Sequence, residues 1–248
     1  MIARLVGAEW LKLRTTRVLW GTVPAVALLS AVAVAGLVLS STEVAGVALL
    51  EPTEGVRQAA LHVTSTGAAL VLVLGIIISA GEYRTQTAID TFLTTPRRSR
   101  VVAAKLAIGA ILGLALGALG AAIGLPLAYL WFEAEGVAFP AGDGEVWLIL
   151  GGVVLYASLF VVLGVAFGCL VRQQLVAIVS ALILVLLLEQ LLTQAGASMA
   201  EWLPGNAGAA VVRTPGEFLD PGAGAALLLA YALAIALAGV VVVARRDA

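Results

Sequence analysis

Side chains able to do chemistry are scarce in this sequence, and they fall in four places. His62, Ser65 and Thr66 recur at i, i+3 and i+4 inside an apolar run, so a helix would put them on one face. Glu82 stands where that run ends and opens the polar stretch GEYRTQTAIDTFLTTPRRSRVVAAK, from Gly81 to Lys105. Glu189 interrupts a later apolar run, and Glu9 falls beside Ile2 and Leu5 on the apolar side of the N-terminal stretch. Ionisable groups in such surroundings are candidates for ligand contact or proton relay. His62 and Glu189 both lie within roughly two or three turns of an expected outer surface, so snorkelling or external hydration is the competing reading. Catalysis finds less support. There is no GxSG-like nucleophile, one His excludes a two-histidine HExxH metal site and paired-histidine haem ligation, and one Cys (Cys169) excludes an intramolecular disulfide. The expectation is a chain that is not an enzyme.

The elements that must carry these groups are membrane helices. Of the 248 residues, 62% are hydrophobic and 12% charged, and several apolar runs of about 20 residues match the span of a bilayer. Six spans are expected, at 18–39, 59–80, 102–132, 147–171, 175–194 and 225–244, within one transmembrane domain over 1–248. The first span is too long, and its leading arm with Glu9 too extended, for a signal peptide. With the N-terminus inside, twelve of the 14 Lys and Arg residues are cytoplasmic, leaving only Arg57 and Arg213 outside. Most acids fall on the opposite side. This bias predicts a multi-pass protein of the plasma (inner) membrane with both termini cytoplasmic. Trp20 is expected near the inner boundary, and Trp131, Trp147 and Trp202 near the outer one, as interfacial aromatics. Gly109, Gly113 and Gly117, with Gly164 and Gly168, form small-residue stripes whose ordinary use is close packing within the chain. Pro24 and Pro126 are candidate kinks. The 195–224 segment is external, and its apolar middle at Ala209 to Val212 admits either a re-entrant dip or an ordinary loop.

Two amphipathic stretches flank this frame. Within the cytoplasmic 81–100 segment, Ile89, Phe92 and Leu93 share a face with Thr85 and Ala88 beside them, while Thr87, Asp90, Thr91 and Thr94 lie opposite. Pro96 ends the run, Ser99 is placed to cap the next span, and Arg97, Arg98 and Arg100 fall at headgroup level. Such a helix either lies on the bilayer or fits a partner's groove. Its lack of Lys and Arg between Thr85 and Pro96 favours docking on protein. In the N-terminal arm, Ile2, Leu5, Val6, Trp10 and Leu13 form a stripe with Arg4, Lys12 and Arg14 off it, the pattern of an interfacial helix held by anionic lipid. A carboxylate at Glu9 needs a partner there, and a basic residue of the 81–105 stretch is the expected one.

These residues resemble the permeases of the type-2 ABC exporter family. That family has an N-terminal elbow helix, matched by Glu9 to Arg17 within 1–17, followed by six spans. Its most recognisable stretch, an acid ending the second span and then Thr, a short helix, Pro, Arg and Lys, is matched by Glu82, Thr87, Pro96, Arg100 and Lys105. Gln86 stands where Gly commonly precedes that Thr, and Leu203 with Pro204 matches a Pro-containing external region. The resemblance implies an all-α membrane protein with an elbow helix and a cytoplasmic coupling helix between spans two and three. It also implies two permease copies, or a permease and a homologue, above two separate ATPase subunits.

On that resemblance Glu82, Thr85, Thr87, Ile89, Phe92, Leu93 and Pro96 would meet the ATPase, Glu9, Trp10, Lys12 and Arg14 would form the elbow at the membrane lipid, and His62, Ser65, Thr66 and Glu189 would line a substrate path. The chain has no GxxxxGK[ST] phosphate loop, so ATP and Mg belong to the partner ATPase and no cofactor or metal is expected here. No nucleic acid is expected either. A path so poor in charge suits an amphipathic or lipid-like cargo, such as an antibiotic. The rival class is a proton-coupled secondary transporter or channel using Glu189 and His62.

Overall fold

A helix that is apolar on all faces must be surrounded. The helix Gly144–Val171 meets that requirement by running through the middle of the molecule, with 67% of its most apolar window buried. The computed structural model describes residues 2–16, 18–43, 52–84, 98–196, 199–212 and 219–245. Among them 91% are helical and none forms a strand. In chain order the helices are α1 (Ile2–Thr15), α2 (Val18–Glu43), α3 (Pro52–Arg84), α4 (Arg98–Ala134) and the central α5 (Gly144–Val171). Then come α6 (Gln174–Leu182), a π-helical segment (Ile183–Leu188), α7 (Glu189–Gln194), a 3-10 turn (Ala200–Trp202), α8 (Pro204–Val211) and α9 (Pro221–Arg245).

Among the described residues, six stretches are long and apolar enough to cross a membrane: Val18–Leu39, Pro52–Arg84, Ser99–Ala134, Gly144–Val171, Gln174–Gln194 and Pro221–Val241. They match the six expected spans in order, as a multi-pass membrane protein requires. The second is longer than expected at both ends. Its early start takes Arg57 into α3, and its late end carries Gly81 to Arg84, so the polar stretch between α3 and α4 narrows to 85–97. The expected contact residues Thr85, Thr87, Ile89, Phe92, Leu93 and Pro96 lie there, outside the described residues, as does Arg17 at the end of the N-terminal arm. Because α4 begins at Arg98, Ser99 falls inside its first turn and is not its cap.

The core is made by α3, α4 and α9 packed on α5, with α2 against α3 and α4. Glycine sets the closest approaches. A Cβ on Gly75 of α3 would collide with the Val161 carbonyl of α5, and one on Gly164 would collide with the Leu72 carbonyl. On the other side, a Cβ on Gly113 of α4 would stand 2.5 Å from the Ser158 Cα, and one on Gly117 would stand 2.7 Å from the Val154 Cα. The small-residue stripes thus serve packing inside the chain, where lipid supplies no hydrophobic attraction between helices and close backbone contact must substitute. The helices continue through Pro24 and Pro126.

Trp131 departs from the expected interfacial belt. It is 4% exposed, in edge-to-face contact with Phe132 at 5.5 Å and 75°. It completes a small apolar cluster with Val56, Ala59 and Val146. Its neighbours on α3 and α5 cover it because both helices begin beside it. Trp20, Trp147 and Trp202 are exposed.

Beyond α7 the chain folds back as α8, whose Ala207, Ala210 and Val211 are buried. Gly152 of α5 lies under the Val211 carbonyl, and Gly224 of α9 under that of Ala207. In the apolar stretch noted in the sequence at Ala209 to Val212, Ala210, Val211 and Val212 are therefore covered by protein and Ala209 is half-buried.

Candidate functional site

Two polar constellations stand out, at opposite ends of α3. The first joins three helices. Glu9 lies on the buried side of α1 with Leu13, one turn before Lys12; Glu82 is in the last turn of α3; Lys105 is two turns into α4. Lys105 Nζ donates to Glu9 Oε2 at 2.8 Å and to the Ile78 carbonyl at 3.3 Å, and pairs with Glu82 Oε1 at 2.8 Å. Lys12 Nζ donates to Glu9 Oε1 and to Glu82 Oε1, each at 2.7 Å.

Two carboxylates and two ammonium groups thus alternate in a ring whose formal charge cancels. Side-chain exposure falls from 42% at Lys12 to 13% at Glu82, 7% at Glu9 and 5% at Lys105. Burial alone would raise the Glu9 carboxyl, but the charges and hydrogen bonds of Lys105 and Lys12 outweigh it and hold that group below its usual range. Burial would likewise lower Lys12. Its bonds to Glu82 and Glu9 prevail and hold it above its usual range.

The partner expected for Glu9 from the 81–105 stretch is therefore Lys105. The role of Lys12 was not legible in the hydrophobic pattern, which set it off the stripe facing lipid headgroups; its i+3 spacing from Glu9 was the available signal. Trp10 and Arg14 of the same helix are exposed and take no part in the ring. Elsewhere on α3, near its start, a separate clasp ties that helix to α5. Arg57 pairs with Glu54 and, at 2.5 Å, with Glu145. Thr53 donates to the α5 N-cap Asp143 at 2.7 Å.

The second constellation surrounds Glu189, which is 5% exposed. Pro204 opens α8 at its first turn, where proline costs no hydrogen bond. The free N–H of Asn206 then donates to Glu189 Oε1 at 2.9 Å. A carboxylate at a helix N-terminus also meets the positive end of the helix dipole. Gly205 lets the backbone close over it, since a Cβ there would stand 2.8 Å from Oε1 and 2.9 Å from Oε2. Asn206 Nδ2 donates to Thr193 Oγ1 at 2.9 Å and to the Ala200 carbonyl at 2.8 Å, locking α7 to the chain before α8.

Two clefts adjoin here. One, of about 310 Å³, has Glu189, Gln190, Thr193 and Asn206 on its wall. The other, of about 180 Å³, has His62 and Gln58. Ser65, Tyr156, Gly205 and Ala209 line both. Glu189 is thus brought to one continuous surface with His62 and Ser65, which precede it by more than a hundred residues. His62 Nδ1 lies 3.0 Å from the Gln58 carbonyl. Thr66 is exposed and lines neither cleft. Tyr156 and Asn206 were not found from sequence: a Tyr inside an apolar run and an Asn after Pro-Gly carry no periodic signal.

Compared with family models, the chain matches none, and the comparison with curated proteins likewise finds no match.

Proposed function

We propose that the chain is the membrane-spanning permease subunit of an ATP-driven exporter resembling the type-2 ABC permeases. In this reading two permease copies, or this chain and a homologue, stand above two copies of a separate ATPase. An amphipathic or lipid-like compound, antibiotics included, leaves the cell on ATP hydrolysed by that partner. The chain itself is not the enzyme. It sits in the plasma (inner) membrane with both termini cytoplasmic, α1 lying as an elbow at the headgroups and the 81–100 segment carrying the coupling helix. The 195–224 segment, with α8 inside it, forms the external cap.

The observation that carries this reading is the ring of Glu9, Lys12, Glu82 and Lys105. It binds α1 to the end of α3 and the start of α4, the two points where the chain enters and leaves the 85–97 stretch. A push on that stretch would reach all three helices together, as a lever acting on a packed bundle requires. The test is whether an adjacent reading frame encodes an ATPase with a phosphate-loop motif and whether the two proteins copurify. Copurification with stimulated ATP hydrolysis supports the pump; Glu82→Lys and Phe92→Asp should then abolish transport while membrane insertion continues. Normal transport by both variants refutes the lever.

A second reading, a proton-coupled secondary transporter using Glu189 and His62, is favoured by one observation, the placing of both residues on adjoining clefts. Uptake or efflux driven by a pH gradient in vesicles without ATP would establish it, and strict ATP dependence would exclude it.

A further inference from the structure

We propose that the cleft walled by Glu189 binds an organic ammonium ion that carries an apolar body. Four observations converge on that chemistry. Glu189 is 5% exposed; Oε1 accepts from Asn206 and the Gly205 backbone N–H also faces the carboxylate, while Oε2 accepts no hydrogen bond of normal geometry among the described residues. A buried carboxylate oxygen left without a donor is costly, and an incoming N–H group supplies the missing bond. Among the described residues no Lys or Arg lines either cleft, so an internal cation does not already fill that role.

The remaining walls suit the apolar part of such a ligand. Ala68, Val185 and Leu186 line the larger cleft, and the Tyr156 ring, stacked on Phe160 at 4.3 Å, adds an aromatic group to its wall. About 310 Å³ is within the range of small-molecule sites. The fourth observation is the π-helical segment Ile183–Leu188, closed by the Glu189 N–H on the Leu184 carbonyl. Such segments recur at functional sites, and this one ends at Glu189.

The proposal rests on the exporter reading for its role, as the point where cargo is held, but its test does not. The full chain, purified in detergent, is titrated calorimetrically with 1-adamantylamine, 1-adamantanol and 1-adamantanecarboxylate, which share one cage and differ in charge. The amine should bind roughly tenfold or more tightly than the alcohol, the gain of one charge-assisted hydrogen bond, and the carboxylate should not bind. Glu189→Gln should erase the preference for the amine. Gln190→Lys, at an exposed position on the same wall, should abolish amine binding with the fold intact, and it decides the matter alone where Glu189→Gln does not fold.

Equal affinity for amine and alcohol in the wild type, or a preference unchanged in Gln190→Lys, overturns the proposal. An ammonium group also occurs on lipid. Competition by phosphatidylethanolamine bilayers but not by phosphatidylglycerol bilayers assigns the site to a lipid headgroup, and equal amine binding in both assigns it to a free amine; either outcome supports the ammonium chemistry. Because no ATPase is needed, an amine-blind cleft leaves the exporter reading standing, and absence of an ATPase partner leaves the cleft result standing.

Discussion

Replacing Lys105 with methionine removes the most buried member of the ring that joins α1, α3 and α4, and its cost follows from what is left behind. The substitution keeps side-chain length and apolar contact. It deletes the 2.8 Å contacts to Glu9 Oε2 and Glu82 Oε1, leaving two carboxylates that are 7% and 13% exposed with Lys12 as their one remaining partner in the ring. Breaking a buried pair from one side typically costs about 3–5 kcal/mol, because the surviving charge stays desolvated.

Lys12→Met breaks two bonds of 2.7 Å, slightly shorter than those of Lys105, but the Lys12 side chain is 42% exposed and water can take its place. That brings the expected cost to about 1 kcal/mol. A difference of about 2 kcal/mol is roughly thirtyfold in the unfolding constant, well resolved by reversible unfolding in mixed dodecylsulfate micelles. Adding Glu9→Gln to Lys105→Met leaves Lys12 and Glu82 as a balanced pair, so the double variant should recover about 1–3 kcal/mol relative to the sum of the single changes. If Lys105→Met costs no more than Lys12→Met, or if the two changes simply add, burial does not govern the ring and the reasoning fails.

Within the ring, Glu9 and Lys12 should keep their contributions over a wide pH window. Glu9 is held below its ordinary 4.5, so its contribution is complete above that value and is lost as pH falls through the lowered one; Lys12 is held above its ordinary 10.5, so its contribution is complete below that value and is lost as pH rises through the raised one. Unfolding midpoints of the wild type should therefore show no change attributable to Glu9 or Lys12 between about pH 5 and pH 10, and a transition near neutrality that Glu9→Gln removes would contradict this. In the packed interior, Gly75→Ala and Gly164→Ala each drive a Cβ into a facing carbonyl and should cost about 1–3 kcal/mol or more. Gly151→Ala, where nothing lies within 4 Å, should be neutral or gain up to about 1 kcal/mol by helix propensity in the same assay.

What was legible in the sequence divides along physical lines. Span number and order follow from composition alone, since a run of apolar residues must lie in lipid or in protein whatever its neighbours do. The glycine stripes were legible as packing devices because side-chain absence has one principal use between membrane helices. Trp131 was misplaced because position near a helix end does not reveal which face neighbouring helices cover; Phe132 and Val146 bury it. The meeting of Glu189 with Asn206, and with Ser65 on one cleft wall, depends on how α8 folds back against α5, and no local pattern encodes that return. Lys105 was within reach for a simpler reason: a carboxylate on an apolar face demands a cation, and few were near.

These polar sites share one element, which restricts how they can influence each other. Ser65 on the cleft wall and Glu82 in the ring lie on α3, separated by 17 residues or roughly 25 Å of helix rise. Between them Gly75 brings α3 into backbone contact with Gly164 of α5, where there is no flexible side chain to absorb a displacement. Under the proposed pump, a shift imposed at Glu82 therefore reaches Ser65 in one of two ways: α3 and α5 move together as one rod, or α3 pivots about the Gly75–Gly164 contact and its two ends swing in opposite senses. Spin labels at exposed Arg84 and Thr66, each paired with a label at exposed Gly151 on α5, separate the two. Joint movement leaves both distances unchanged across the ATPase cycle, whereas a pivot changes both together. A change at Arg84 with none at Thr66 would show α3 bending between its ends, and the ring and the cleft would then not be mechanically joined through this helix.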